Sequence, residues 1–340
     1  MKPVVAITLG DCNGIGAEVT LKSIRMGTIR RQCRPVLVGP PEVFLHCART
    51  IGLRLELSAF GGIGTPEPAA RTRRGIPAEC VPTEGGIRVA PGTVTAEAGK
   101  LAVEAIRRAT ALLKSGQAEA LVTAPVSKKA IHKAGFRFPG QTEFLLRISG
   151  SRRVAMMMVS RAITVGLVTI HEPLRHVHAL LSPERIRETI AVVHTSLERD
   201  FGITAPRLAV LGFNPHAGEQ GDIGTEEATV ITRTIRSLRR SGIALEGPLP
   251  ADGVFAHYEP GRYDAIIAMY HDQGLIPFKL LARNRGVNFS AGLEIIRTSP
   301  AHGTAFDIAG RGTADPSSMA EAIRLAARLA RRRRAETEGR

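Results

Sequence analysis

Short apolar runs alternate with longer amphipathic segments along most of the 340 residues. Val4 to Leu9, Ala120 to Thr123 and Ala265 to Met269 have the length and composition of buried strands. Thr93 to Lys114 has its Ala and Leu residues at helical spacing, with Thr95 as the expected N-cap. This alternation predicts an α/β fold with a largely parallel sheet.

Further segments extend the same pattern. Val154 to Val159 and Thr164 to Ile170 are predicted to form adjacent strands, and Pro183 to Phe201 a helix capped by Ser182. Thr225 to Arg240 is predicted as another helix. Because the chain is longer than a typical single domain, we expect two lobes that share a cleft.

The net charge and the aromatic content indicate which ligands the protein can bind. The formal net charge is +15, which predicts affinity for anions, either phosphorylated metabolites or nucleic acid. The absence of Trp and an aromatic content of 4% argue against a stacking surface for single strands. The run Arg331 to Arg334 is interpreted as a solvated helix end, with a nucleic-acid-binding segment as the alternative.

The expected compartment is the cytoplasm. The four cysteines lack metal-ligand spacing and are typical of reduced thiols. The sequence has no run of about 18 apolar residues, which a membrane helix would need. We therefore expect a soluble protein without a membrane partner.

Three histidines occupy equivalent places. His171, His216 and His271 each stand at or just beyond the end of a predicted strand, beside a Pro or Gly turn. If these strands end at one sheet edge, the imidazoles meet and can bind Zn²⁺, Co²⁺ or Ni²⁺ with a position left for substrate. The alternative for each single histidine is a hydrogen-bonded structural role.

Polar residues in otherwise apolar surroundings add candidate anion ligands and acids. Lys279, Asn288 and Arg297, together with Thr142, can hold a phosphate or carboxylate. Thr142 and its neighbour Gln141 can instead cap the helix that follows. Asp252 and Asp272 can each act as a base or orient a metal ligand.

Two glycine-punctuated segments are candidate ligand loops. The turn from Gly10 to Gly16 does not fit the G-x-G-x-x-G spacing, which argues against a standard Rossmann pyrophosphate site. The turn can still line a cleft. The alternative interpretation is that it only connects a strand tightly to a helix. The second segment runs from His302 to Gly310.

Seven motifs together carry a family resemblance: HDQG with the following Lys279, IRTS, HGTAFDIAG, NPHAGE with GTEE, TEF after Gly140, TIHEPL, and the opening TLGDxxGIG. In this combination the chain resembles the 4-hydroxythreonine-4-phosphate dehydrogenase family, in register from Val4 to about Pro316. HGTAFDIAG is also similar to the adenosine-binding loop of isocitrate and isopropylmalate dehydrogenases.

The resemblance implies an isocitrate/isopropylmalate dehydrogenase-like fold of two α/β/α lobes. One lobe would comprise residues 1–125 and 265–340 and carry the NAD-binding loop. The other, residues 126–264, would supply metal and substrate contacts and dimerisation. A homodimer with the metal site shared across its interface is implied.

The resemblance also implies the activity. The family oxidises 4-phosphooxy-L-threonine with NAD or NADP and one divalent metal, and decarboxylation yields 3-amino-2-oxopropyl phosphate for pyridoxal 5'-phosphate biosynthesis. Zinc is the favoured ion, with magnesium or cobalt as alternatives. The implied site residues are His171, His216 and His271 for the metal; Gln141, Thr142, Lys279, Asn288 and Arg297 for the substrate; Gly303, Thr304, Ala305 and Asp307 for the cofactor; and Asp252, Asp272 and Lys279 for catalysis.

Some positions depart from the family pattern. The family commonly has His at the position of Gln141, Pro-Ala at Cys12-Asn13, and Pro at Ala17. Gln can donate a hydrogen bond but cannot carry a proton, so D-threonate 4-phosphate, D-erythronate 4-phosphate or an aromatic dihydrodiol carboxylate stays open as the substrate. A three-histidine hydrolase that activates water is a further alternative, although it gives the segment from His302 to Gly310 no role.

Overall fold

The computed structural model describes residues 1–61, 75–83, 85–137 and 140–338. These residues form two compact units. Unit 1 comprises residues 1–151 and 293–340, and unit 2 comprises residues 152–292. Both units combine helices with a sheet, so the predicted α/β class is confirmed.

The strands of the described chain are short and mostly buried. In chain order they are β1 (Val4–Thr8), β2 (Arg34–Gly39), β3 (Leu57–Ala59), β4 (Ile76–Cys80), β5 (Ala120–Thr123), β6 (Ala155–Val159), β7 (Thr164–Leu167), β8 (Arg207–Leu211), β9 (Ala244–Leu249), β10 (Ala265–Ala268), β11 (Val287–Ala291) and β12 (Arg297–Pro300).

The helices vary in length from 6 to 22 residues. In chain order they are α1 (Gly16–Arg25), α2 (Gly27–Gln32), α3 (Pro41–Thr50), α4 (Ala96–Lys114), α5 (Lys128–Lys133), α6 (Gln141–Ser149), α7 (Leu174–Leu180), α8 (Pro183–Arg199), α9 (Thr232–Arg240), α10 (Ala251–Ala256), α11 (His271–Ala282) and α12 (Ser317–Glu338).

The sheet of unit 1 has the strand order β3-β4-β2-β1-β5-β12, and its paired strands run parallel. β1 lies inside it, with Ile7 opposite Leu37 on one side and Val122 on the other. These three side chains are fully buried. Helices α4 and α12 pack against the sheet, so its apolar strands form the core of the unit.

The sheet of unit 2 has the order β11-β6-β7-β10-β8-β9. Strand β6 runs antiparallel to β7 and β11, which confirms the predicted adjacent pair, and β7, β10, β8 and β9 run parallel. The carboxyl ends of parallel neighbours lie at the same edge of a sheet. The residues that follow β7, β10 and β8 therefore leave the sheet together.

The predicted lobe boundaries differ from the observed ones. The prediction places strand β10 in the lobe of residues 265–340, but β10 pairs with β7 and β8 inside unit 2, with Ile266 opposite Val165. The prediction places helix α6 in the lobe of residues 126–264, whereas α6 lies in unit 1. The strands that β10 pairs with are distant from it in sequence.

The predicted helix caps are confirmed. The Thr95 hydroxyl accepts the Ala98 N–H at 3.2 Å, and the Ser182 hydroxyl accepts the Arg185 N–H at 3.2 Å. The helix predicted over residues 225–240 is only partly correct. Regular α-helix begins at Thr232, after a π-helical turn over Glu227–Ile231.

The basic run near the C-terminus is bound to unit 1. The guanidinium of Arg331 donates to the Gln32 carbonyl at 2.8 Å, and Arg334 forms an ion pair with Glu119. The predicted solvated helix end is confirmed for Arg331, whose side chain is exposed, whereas Arg334 is half-buried.

Two expectations about the environment can be compared with the structure. Among the described residues, each helix is too short or too polar to cross a bilayer. All four cysteines are free. Burial raises the pKa of Cys12 and Cys47 to about 12 and that of Cys33 to about 11, so these three are unreactive thiols at neutral pH.

The packing of α4 on α5 depends on Gly99. A Cβ at this position would collide with the Ala130 carbonyl and stand 2.7 Å from the Ile131 nitrogen. We expect Gly99→Ala to lower the free energy of unfolding by about 3 kcal/mol, because backbone must move to make room. Urea denaturation of the variant and the wild type measures this change in the free energy of unfolding.

Gly27→Ala is the matched control, because the nearest atom to a Cβ there is the flexible end of Arg31 at 3.5 Å. This variant should be neutral or stabilised by up to about 1 kcal/mol. Equal urea midpoints for Gly99→Ala and Gly27→Ala would contradict the close packing of α4 on α5.

Candidate functional site

The carboxyl edge of the parallel strands in unit 2 carries the three predicted histidines. His171 follows β7, His216 follows β8, and His271 begins α11 directly after β10. Since β10 lies between β7 and β8, the three segments leave neighbouring strands. We call this part of unit 2 the histidine edge.

His171 and His271 are brought together. Their ring centroids are 5.7 Å apart and the rings are tilted by 39°. They line a cavity of about 150 Å³ with Thr169, Tyr270 and Asp272 among its walls. A ring nitrogen binds zinc at about 2.0–2.1 Å, so two imidazoles at this separation can bind one ion.

Asp272 orients one of these rings. Its Oδ1 lies 2.7 Å from Nδ1 of His271. A carboxylate bound to one imidazole nitrogen favours the tautomer in which the other nitrogen is free to bind a metal. Of the two roles predicted for Asp272, the geometry fits the orienting role.

His216 lies on a strained turn. The five residues from His216 to Gln220 all have positive φ, and four of them are not glycine. Each such residue in the left-handed region costs of order 1 kcal/mol, so the surrounding structure must hold the turn in place.

A buried carboxylate holds this turn. Oε1 of Glu227, a residue only 5% exposed, accepts the N–H groups of Phe213 and Asn214, both at 2.7 Å. Its Oε2 accepts the Asn214 side-chain amide at 2.9 Å. Glu227 thus binds the start of the turn at three points, and the strained residues of the turn follow directly.

The predicted triad is not assembled within one copy of the chain. Within residues 1–61, 75–83, 85–137 and 140–338, no three His, Cys, Asp or Glu side chains lie close enough together to share a metal ion. The structure thus unites His171 and His271, while His216 is exposed on its turn.

Gln273 ties two of the strand ends together. Its side-chain oxygen accepts the Met269 N–H at 2.7 Å, and its amide donates to the Gly212 carbonyl at 2.7 Å. Met269 follows β10 and Gly212 follows β8. This side chain therefore fixes the distance between the segments that carry His271 and His216.

The other predicted residues of unit 2 occupy separate elements. Lys279 is exposed on α11, and Asp252 is exposed at the start of α10. Asn288 lies on β11 opposite Met158. Its Oδ1 is buried and has no hydrogen-bond partner in the described part of the chain. A buried polar atom of this kind needs a partner that these residues do not supply, such as a ligand, an ion or a water.

Unit 1 contains a buried cation. Arg297 is 3% exposed, and its guanidinium donates to the Thr123 hydroxyl and, at 3.2 Å, to Oε1 of Gln141. Burial lowers the pKa of Arg297 to about 10, and the charge of Glu143 acts in the opposite direction. The guanidinium stays protonated at neutral pH, and an anionic ligand would be stabilised next to it.

Helix α6 places Gln141 and Thr142 in its first turn. Neither side chain caps the helix, because the N-cap position is Gly140 and it has no side-chain cap. The capping alternative is therefore wrong. Both residues are half-buried, and Gln141 also approaches the Ala124 carbonyl at 3.5 Å.

The candidate cofactor loop, residues 302–310, packs against the opening turn of unit 1. The Ile15 N–H donates to the Thr304 carbonyl at 3.0 Å. Ala305 has a left-handed backbone, with φ of 43°. Gly303 and Asp307 are exposed, and Nε2 of His302 is buried without a hydrogen-bond partner in the part of unit 1 that the structure describes.

Sequence reasoning missed residues that support the site. Glu227 and Gln273 bind backbone of the segments that carry His216 and His271, and Thr123 accepts hydrogen bonds from Arg297. A signal existed for the first two, since each lies inside a quoted motif, GTEE or HDQG. Thr123 ends a predicted strand, and only the structure shows that it meets Arg297.

Comparison with known proteins agrees with these motifs. The profile of the family described as pyridoxal phosphate biosynthetic protein PdxA matches residues 31–326. The D-threonate 4-phosphate dehydrogenase of Cupriavidus necator is 43% identical, covering 97% of this chain and 98% of that protein. The 4-hydroxythreonine-4-phosphate dehydrogenase of Bacteroides thetaiotaomicron is 39% identical, covering 99% and 91%.

A solved structure gives the same result. The crystal structure of 4-hydroxythreonine-4-phosphate dehydrogenase from Klebsiella pneumoniae superimposes with a TM-score of 0.85 at 40% identity, covering 97% of this chain and 98% of that one. The profile match and the full-length similarity show the family. This chain therefore belongs to the PdxA family of pyridoxal phosphate biosynthetic proteins, and its relatives named above are dehydrogenases.

Proposed function

We propose that this oxidoreductase oxidises and decarboxylates 4-phosphooxy-L-threonine, using NAD or NADP and a divalent metal, to give 3-amino-2-oxopropyl phosphate. The observation that carries the proposal is the pair His171 and His271 at the histidine edge, 5.7 Å apart, with Asp272 bound to the second ring. Full-length similarity to two dehydrogenases of phosphorylated hydroxy acids supports the same chemistry.

The residues of the histidine edge fit a divalent metal. Neutral imidazoles suit zinc or cobalt better than magnesium, and the Asp272 carboxylate fixes the tautomer that His271 needs. His171 and His271 would hold the ion, and we propose His216 as the third ligand. When bound, the metal would stabilise negative charge on oxygen and the nicotinamide would accept a hydride.

The other predicted residues would bind the substrate. Arg297, buried and charged, and Lys279 would bind the anionic groups of the substrate. Asn288, whose Oδ1 is buried without a partner among the described residues, would accept a hydrogen bond, and Gln141 and Thr142 would complete the contacts.

The reaction balances with these groups. The hydroxyl oxygen loses a proton and its carbon loses a hydride, which gives a β-keto acid. The bond to the carboxylate then breaks, CO₂ leaves, and a proton adds to the carbon. Because Asp272 is bound to His271, Asp252 and Lys279 remain as the groups that would take or return these protons.

The candidate cofactor loop fits a nucleotide. Gly303 faces open space, since a Cβ built there meets nothing within 4 Å. The buried Nε2 of His302, unbonded among the residues that the structure describes, offers a hydrogen-bonding position. We propose that Gly303, Thr304, Ala305 and Asp307 contact the dinucleotide, as the resemblance implies.

A substrate panel tests the proposal. With 4-phosphooxy-L-threonine, NAD and Zn²⁺ or Co²⁺, we expect NADH formation with one CO₂ released per NADH. The unphosphorylated 4-hydroxy-L-threonine is the matched control. Its kcat/KM should be at least about 100-fold lower, because Arg297 and Lys279 would lose the phosphate that we propose they bind.

The alternative substrates are D-threonate 4-phosphate, D-erythronate 4-phosphate and an aromatic dihydrodiol carboxylate. The 43% identity to the Cupriavidus necator enzyme favours the first of these among the alternatives. Turnover of one of these acids without turnover of phosphooxythreonine would contradict the leading proposal. Gln141→His, which restores the usual family residue, should then raise activity on phosphooxythreonine.

We also propose that a second copy of the chain covers the histidine edge. Large apolar side chains are exposed close to it in sequence. Ile276 and Leu280, 60% and 74% exposed, lie four residues apart on α11, and Leu174 at the start of α7 is 70% exposed. Large exposed apolar side chains mark association surfaces where they form a contiguous patch. A homodimer could thereby complete the metal site.

Sedimentation equilibrium tests the dimer. The wild-type protein should have twice the 36.4 kDa mass of the chain, and Leu280→Glu should shift it to the monomer. Leu45→Glu is the matched control, since Leu45 is an exposed leucine on α3 of unit 1. A monomeric wild type would contradict this part of the proposal.

A further inference from the structure

Asn13 is buried in the opening turn of unit 1, and both polar atoms of its side chain form hydrogen bonds. It is 1% exposed. Its Oδ1 accepts the Ala90 N–H at 2.8 Å, and its Nδ2 donates to the Thr93 carbonyl at 3.0 Å and the Thr95 hydroxyl at 3.3 Å. The side chain thus binds three points of residues 90–95, the segment that leads into α4.

The main chain of Asn13 strengthens the same connection. Its carbonyl accepts the Gly92 N–H at 2.8 Å, and its N–H donates to Oδ1 of Asp11 at 2.9 Å. Asn13 therefore joins the opening turn, residues 10–16, to residues 90–95 through both its side chain and its backbone.

Both joined segments support the candidate cofactor loop. On one side, a Cβ at Gly14 would lie 2.9 Å from the Thr304 carbonyl, so the backbones touch there. On the other side, a Cβ at Gly92 would lie 3.0 Å from the Phe306 carbonyl. The loop thus rests on two supports, and Asn13 sets the distance between them.

We propose that Asn13 is a positioning residue for dinucleotide binding, which acts through the candidate cofactor loop without touching the ligand. This rests on the proposed use of NAD or NADP. Ala305 is held in the left-handed region, and a loop with such a residue keeps its shape only when its surroundings are rigid. Asn13 supplies that rigidity by joining the two segments on which the loop rests.

Two variants separate the contributions of Asn13. Asn13→Ala removes all the side-chain hydrogen bonds and gives the residue that the family commonly has at this position, so it tests whether this chain depends on them. Asn13→Asp keeps the volume and the acceptor for Ala90 but cannot donate to Thr93 or Thr95. The second variant carries the test if the first does not fold.

Hydrogen exchange and calorimetry give the readouts. In both variants, amides of residues 302–310 should exchange about tenfold faster, and NAD should bind about tenfold more weakly by titration calorimetry. The KM for NAD should rise while kcat and the KM for the hydroxy acid stay near the wild-type values, because the loop does not hold the acid.

Thr110→Val is the matched control. Thr110 is buried in α4 and donates to the Ile106 carbonyl, so the variant also loses a buried hydrogen bond. It lies about 22 Å along the helix from Thr95. It should leave both exchange in residues 302–310 and NAD affinity unchanged.

The outcomes distinguish this inference from the proposed function. Unchanged exchange in residues 302–310 of both Asn13 variants would overturn the positioning role, whatever the wild-type protein binds. Wild-type protein that binds neither NAD nor NADP would refute the proposed cofactor, and the positioning role in dinucleotide binding would then fail with it even if the exchange effect were present. Faster exchange together with weaker NAD binding supports the inference.

Discussion

The parallel pairing of β7, β10 and β8 is the constraint on which the candidate site depends. Parallel neighbours end at one edge, so the residues after each strand meet there although they are far apart in sequence. His171 and His271 face one cavity for this reason. Gln273 adds a side-chain connection between two of the strand ends, so the edge is held by more than the sheet.

Strained backbone is found at both candidate ligand loops. His171 and His216 at the histidine edge and Ala305 in the candidate cofactor loop have positive φ, which disfavours residues with a Cβ. The buried polar groups Glu227 and Asn13 bind the segments beside the last two. Strain of this kind persists only where the surroundings fix it, and it clusters where ligands bind.

Local patterns predicted much of the fold. The caps Thr95 and Ser182 and the adjacency of β6 and β7 follow from residues close in sequence, and they are confirmed. The left-handed turn at His216 was not predictable, because Glu227, which holds it, lies eleven residues further along and four of its five residues are not glycine. The predicted lobe boundary differs from the observed one for a related reason, since β10 pairs with strands about 60 and 100 residues away. For the site, the histidines and Arg297 were recognisable as polar residues in set places, whereas their supporting contacts come from distant segments.

We propose that the histidine edge binds one divalent cation. Crystals grown with Co²⁺, with diffraction recorded above and below the cobalt absorption edge, would locate this ion. We expect one anomalous peak at about 2.1 Å from a ring nitrogen of His171 and of His271, with His216 of the same or a second copy as a further ligand. A map with no peak at this edge, or a cobalt ion held by other residues, would contradict it.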